Sequence, residues 1–162
     1  MMPKQMASNS CEVAEMNRTF LIVDSNEGEA ASSEQRLRMI SPGAEVLVAS
    51  SGTAAVALLE ERGLMPSLIF AEFMMPDMNG IEFLGKVRSR RWLERVPVAM
   101  VTTLIDDRNI VNCYRLGACT FLTRPVPTHA LRETIRDFAR PAEQMVPANV
   151  VSMMRGSLRQ AA

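Results

Sequence analysis

Short apolar runs alternate along this chain with longer stretches of mixed polarity, and each run stops at polar or turn-forming residues. Thr19-Phe20-Leu21-Ile22-Val23 is almost wholly apolar, which predicts a buried strand. It stops at Asp24-Ser25-Asn26, a helix-entry cluster, and a helical stretch follows to about Met39. After the break at Ser41-Pro42-Gly43, Glu45 to Ala49 predicts a second strand, less apolar and so nearer an edge. Ala54 to Arg62 predicts a short helix closed by Gly63. A third strand spans 67–71, and Asn79-Gly80 opens a helix to about Ser89. Pro97 to Thr102 is a fourth strand; Asp106-Asp107 suit the first turn of a helix ending near Leu116-Gly117. Cys119 to Thr123 is a fifth strand, and Pro127-Thr128 open a last helix with Leu131, Ile135 and Phe138 on one face.

Strands alternating with helices in this way predict an α/β fold, a doubly wound five-stranded parallel sheet with helices on both faces. Right-handed crossovers give the strand order 2-1-3-4-5. The ends of strands 1 and 3 then flank the switch point, so Asp24 and Glu72 are expected to meet there, with Thr102 and Arg124 close by. Residues 1–17 are expected to form a flexible lead-in, 18–140 the folded domain and 141–162 a tail.

The 162 residues are 48% apolar and 22% charged, enough for a real core. Lysines and arginines balance aspartates and glutamates at 18 each, which gives no electrostatic reason to expect nucleic acid or an anionic membrane surface. No apolar run approaches membrane-spanning length. Cys11, Cys113 and Cys119 follow no paired or metal-type spacing, and an odd count without an export signal fits a reducing cytoplasm. His129 is the single histidine, which argues against histidine-based catalysis or metal binding.

The candidate chemistry lies at the strand ends. Ile69-Phe70-Ala71-Glu72 delivers a carboxylate into the turn cluster Met74-Met75-Pro76-Asp77-Met78-Asn79-Gly80. With Leu21-Ile22-Val23-Asp24, Pro97 to Thr103, Leu116-Gly117-Ala118 and Phe121-Leu122-Thr123-Arg124-Pro125, these segments resemble the receiver domain of two-component response regulators. The resemblance covers about Arg18 to Arg140, in the right order and spacing, and implies a flavodoxin-like fold. Within the family, Thr102-Thr103 and Cys113 to Ala118 look most like the single-domain regulators that partner phytochrome-type kinases. Receivers use an aspartate nucleophile, two further acids that hold Mg²⁺, a hydroxyl and a lysine. Here Glu72 stands at the phosphoacceptor position, Ser25 replaces the second acid beside Asp24, and Arg124 replaces the lysine. Thr102 keeps the hydroxyl, and Phe121 and Pro125 match the aromatic and the proline, the latter expected after a cis bond. By the same resemblance, Asp24, Glu72 and Met74 are the metal positions.

These departures change the expected chemistry. Mg²⁺ wants several hard oxygens in a tight octahedron, and one acid is gone, so its binding is expected to be weak or absent, with no other cofactor. In-line phosphoryl transfer is positional; an angstrom of misplacement can cost on the order of 100-fold, and an extra methylene shifts the carboxylate by about that much. Little or no phosphorylation is expected. Instead, Glu72 is expected to reach into the space a phosphoryl group would fill and to meet Arg124 in a bidentate pair. Such a pair is worth roughly 1–4 kcal/mol before desolvation, against about 5.5 kcal/mol for a full switch, so it would bias a conformation without saturating it.

Plainer readings stand beside these. Glu72–Arg124 is also the pattern of a structural ion pair in a decayed site, Asp24 of a helix cap, Phe121 of a core residue. Arg88, Arg90, Arg91 and Arg95 around Trp92 read as a solvated helix end rather than a nucleic-acid site. The resulting expectation is a stand-alone, non-enzymatic, cytoplasmic signalling module that binds a sensor kinase or downstream effector through helix 4, strand 5 and helix 5. The same face allows a homodimer. The alternative is a working phosphoacceptor that takes phosphate from a histidine kinase.

Overall fold

The computed structural model describes residues 18–103 and 106–140. The lead-in at 1–17 with Cys11, and the tail at 141–162, lie outside the described residues. Five strands, β1 (Thr19–Val23), β2 (Glu45–Ala49), β3 (Leu68–Glu72), β4 (Val98–Thr102) and β5 (Ala118–Thr123), form one parallel sheet in the order β2-β1-β3-β4-β5. Five helices alternate with them: α1 (Glu27–Ile40), α2 (Gly52–Arg62), α3 (Gly80–Arg88), α4 (Asp107–Arg115) and α5 (Thr128–Phe138). A 3-10 turn, Arg91–Leu93, leads into β4.

Side chains alternate across the strands, so each strand feeds both faces. Leu21, Val23, Ile69, Ala71, Val98 and Met100 pack with Leu59, Phe83, Leu84 and Cys113 from α2, α3 and α4. Phe20, Ile22, Leu68, Phe70, Ala99 and Val101 pack with Leu37, Leu131 and Ile135 from α1 and α5. The central strands are buried on both sides, which is why they read as unbroken apolar runs.

Helix starts are set by side-chain caps. Asn26, Ser51, Asn79 and Asp106 accept from the backbone N–H groups of Glu29, Ala54, Glu82 and Asn109 at 2.8–3.0 Å. Asp24 is therefore not the cap of α1; Asn26 is. Asp24 lies two residues earlier and its Oδ1 accepts from the Asn26 N–H at 2.9 Å, turning the chain out of β1. The third strand begins and ends one residue later than the apolar run suggested. Ser67 is left outside to accept from Thr19 N–H at 3.2 Å, and Glu72 becomes the last residue of β3, opposite Val101.

Candidate functional site

β1 and β3 are hydrogen-bonded neighbours whose helices go to opposite faces of the sheet, so their carboxyl ends open a crevice. Asp24 follows β1 and is 4% exposed; Glu72 ends β3 with a side chain 12% exposed; Thr102 ends β4 and is 4% exposed. Arg124 follows β5 and is placed by the bond from its N–H to Thr102 O, at 2.9 Å. The Arg124–Pro125 peptide is cis.

The guanidinium of Arg124 gathers three carboxylates. Nη2 touches both Asp24 Oδ2 and Glu72 Oε2, the latter at 3.0 Å, and Nη1 reaches Glu29 Oε2, from the first turn of α1, at 3.2 Å. The pair with Glu72 is thus not bidentate: one nitrogen is shared between two acids, because β1 and β3 bring both within reach of the same amine. The other oxygen of Glu72 accepts from the Met74 N–H at 3.2 Å, while the Met74 side chain is 65% exposed. Ser25 is exposed and makes no hydrogen bond to the guanidinium. Beside the cluster lies a cavity of about 20 Å³, room for one water, lined by Asp24, Glu72, Arg124 and Ser33 and by apolar residues of the sheet, with Leu37 of α1 and Leu131 of α5. Arg124 Nε is buried there without a protein partner.

Burial raises the Glu72 pKa above its ordinary value; the Met74 N–H and the charge of Arg124 pull it back without cancelling the rise, and Asp24 adds to it. Burial works to lower the Arg124 pKa, but the bond to Asp24 and the charges of Asp24, Glu72 and Glu29 outweigh it, so the net direction is up. The guanidinium is the fixed charge of the group.

Phe121 is half-buried on the α4 side, its ring 5.4 Å from that of Tyr114. Three contacts escaped sequence reasoning. Glu29 looked like one more acid in a helix first turn. Arg36, from the middle of α1, bonds to Val126 O beyond the cis peptide. Asp77 leaves its turn to accept from Thr53 N–H (2.8 Å), Thr53 Oγ1 (2.7 Å) and Gly52 N–H (3.3 Å), anchoring the loop after β3 to the start of α2. Only Asp77 gave a signal, as an acid in a Pro-Asp-Asn-Gly cluster.

Residues 20–136 match the response regulator receiver domain. The chain belongs to that family. Over 93 residues it is 31% identical to a chemotaxis protein CheY homolog of Campylobacter jejuni, covering 57% of this chain and 71% of that protein. It is 24% identical over 112 residues to response regulator Rcp1 of Synechocystis, covering 66% of this chain and 76% of the relative. A CheY-like receiver domain protein from Methanospirillum hungatei superposes with a TM-score of 0.67 at 28% identity, over 74% of this chain and 91% of the other. The receiver is a module of two-component signal transduction. No helix among the described residues is long and apolar enough to cross a membrane.

Proposed function

We propose that this receiver signals by protein–protein contact with a fixed charge at the switch point, and that it does not accept a phosphoryl group. The observation that carries the reading is the single Nη2 atom of Arg124 lying against both Asp24 and Glu72. A divalent cation does not fit these residues. It would have to displace a fully charged guanidinium from between its two carboxylate ligands, and Ser25 offers only a neutral, solvent-facing hydroxyl beside them. Glu72 itself carries about one negative charge where a phosphoryl group would bring about −1.5 to −2, so the cluster biases the domain toward one conformation. The partner, a sensor kinase or an effector, would meet the α4–β5–α5 face, where Val111 and Tyr114 are 46% and 48% exposed; a second copy is the other candidate there.

The test is exposure to phosphoramidate and Mg²⁺ followed by intact-mass measurement. Wild type gains no phosphoryl mass, whereas the Glu72→Asp/Ser25→Asp double variant gains it in part. Phosphoryl incorporation at Glu72 in the wild type refutes the proposal and leaves a working phosphoacceptor in its place.

A further inference from the structure

The basic cluster around Trp92 lies at the amino-terminal edge of β4, the opposite end of the sheet from Glu72, and the proposed function makes no use of it. The expectation of a loosely solvated helix end does not hold for all of it. Arg88 is half-buried and donates to four backbone carbonyls: Leu93 O at 3.0 Å and Val96 O at 2.8 Å before β4, Leu116 O at 3.3 Å and Gly117 O at 2.9 Å before β5. Leu93 and Val96 are buried at 0% and 1% exposure beneath the turn. Two loops are thereby fastened into one rigid unit.

That unit holds an indole in solvent. Trp92 is 38% exposed, and Arg91 and Arg95 beside it are exposed. Arg90 is engaged by Glu60 at 2.7 Å, and Arg62 by Glu45 at 3.5 Å. The side chains of Arg91 and Arg95 make no hydrogen bond or ion pair among the described residues, although the Arg91 carbonyl accepts from Glu94 N–H at 3.3 Å. Glu94 is the one acid between Arg88 and Arg95, so the segment is net positive. The rest of the fold adds to this polarity. Acids lie in the first turns of α1, α3 and α4 (Glu27, Glu29, Glu82, Asp107) and bases in their last (Arg38, Lys86, Arg88, Arg115); α2 and α5 have no first-turn acid.

We propose that Arg91, Trp92 and Arg95 form a docking site for an acidic segment of a partner protein. Guanidiniums pair with carboxylates in a planar, two-bond geometry, and a rigidly held indole adds contact area at small entropic cost. Tryptophan and arginine dominate the residues that carry protein–protein binding energy. The zero net charge of the chain disfavours a polyanion such as RNA, which needs many phosphate contacts.

Trp92 is the only tryptophan, so its emission reports on this site alone. Titration of the full chain with a short glutamate–aspartate peptide should shift that emission saturably. The Arg91→Glu/Arg95→Glu variant, with unchanged circular dichroism, should bind at least about tenfold more weakly. Four results overturn the proposal: no emission change at millimolar peptide, an equal response from the variant, tighter binding of a short oligouridylate, or an emission shift on concentrating the protein alone. The last would assign the surface to a second copy of the chain.

Discussion

Each end of the sheet is tied together by one arginine, and the two are held by opposite chemistry. At the amino-terminal edge, Arg88 sits among four main-chain carbonyls. At the carboxyl ends, Arg124 sits among the carboxylates of Asp24, Glu72 and Glu29. Carbonyls are neutral, do not titrate and cannot be deleted by a side-chain change, so Arg88 performs the same fastening under all conditions. Carboxylates carry charge, respond to pH and are removed one at a time. The pKa directions record the contrast: burial lowers the Arg88 pKa with little to oppose it, whereas the acids around Arg124 overcome burial and raise its pKa. One end is architecture; the other is where a state can be set.

The largest effect is expected at the neutral end. Arg88→Met keeps the aliphatic bulk but leaves the carbonyls of Leu93, Val96, Leu116 and Gly117 without their donor. Lost partners to half-buried acceptors predict a destabilisation of about 3 kcal/mol. That corresponds to a fall in Tm on the order of 10 °C by circular dichroism. The loss should be the same at about pH 5 and about pH 7.5, since no group in the cage titrates between them. A loss that varied strongly with pH would erase the distinction between the two ends.

Arg124→Met should cost a comparable amount, about 3 kcal/mol at neutral pH, and here the cost should depend on pH. Without the guanidinium, Asp24 and Glu72 face each other uncompensated, and the upward push on Glu72 from burial and Asp24 goes unopposed by Arg124. The folded protein then holds a proton on Glu72 at pH values where the unfolded chain has released it. The penalty is full above the raised pKa and shrinks as pH falls toward the ordinary value of 4.5. Urea unfolding of both proteins across that window measures it; a pH-independent cost would mean Arg124 acts by packing alone.

The contrast also explains what the sequence disclosed. Strand order, helix placement and the gathering of Asp24, Glu72 and Arg124 at the strand ends, with Thr102 beside them at the end of β4, were legible, because strands buried on both faces and strand-end polar residues leave one-dimensional marks. The details of both arginine cages were not. Arg88 looked like part of a charge run because backbone carbonyls have no sequence signature. Glu29 looked like any first-turn acid; its contact with Arg124 exists only once α1 packs on β1 and β2 and against α5. The sharing of one Nη2 by two acids, in place of a bidentate pair, depends on the 3.0 Å separation set by β-sheet spacing and side-chain rotamers, which composition and periodicity do not encode. Asp24 looked like a cap because Asn26, two residues on, is an equally good one.

Glu72→Gln should give the smallest change and the sharpest one. In the wild type, the Glu72 pKa lies above 4.5 in the folded state, so the native protein binds more protons than the unfolded chain in the window just above that value. Its contribution to stability is therefore present at low pH and declines as pH rises through the window. Glutamine keeps the shape and cannot ionise, so that part of the pH slope should vanish. Neutral-pH stability should move by less than about 1 kcal/mol, because Arg124 retains Asp24 and Glu29. Urea unfolding at several pH values reads both quantities. If Glu72→Gln instead cost as much as Arg124→Met, Glu72 would be a main support of the guanidinium, and the cluster would be a structural ion pair. A flattened slope with stability preserved would mean that the glutamate's charge is not required for the fold and is free to serve the conformation a partner reads.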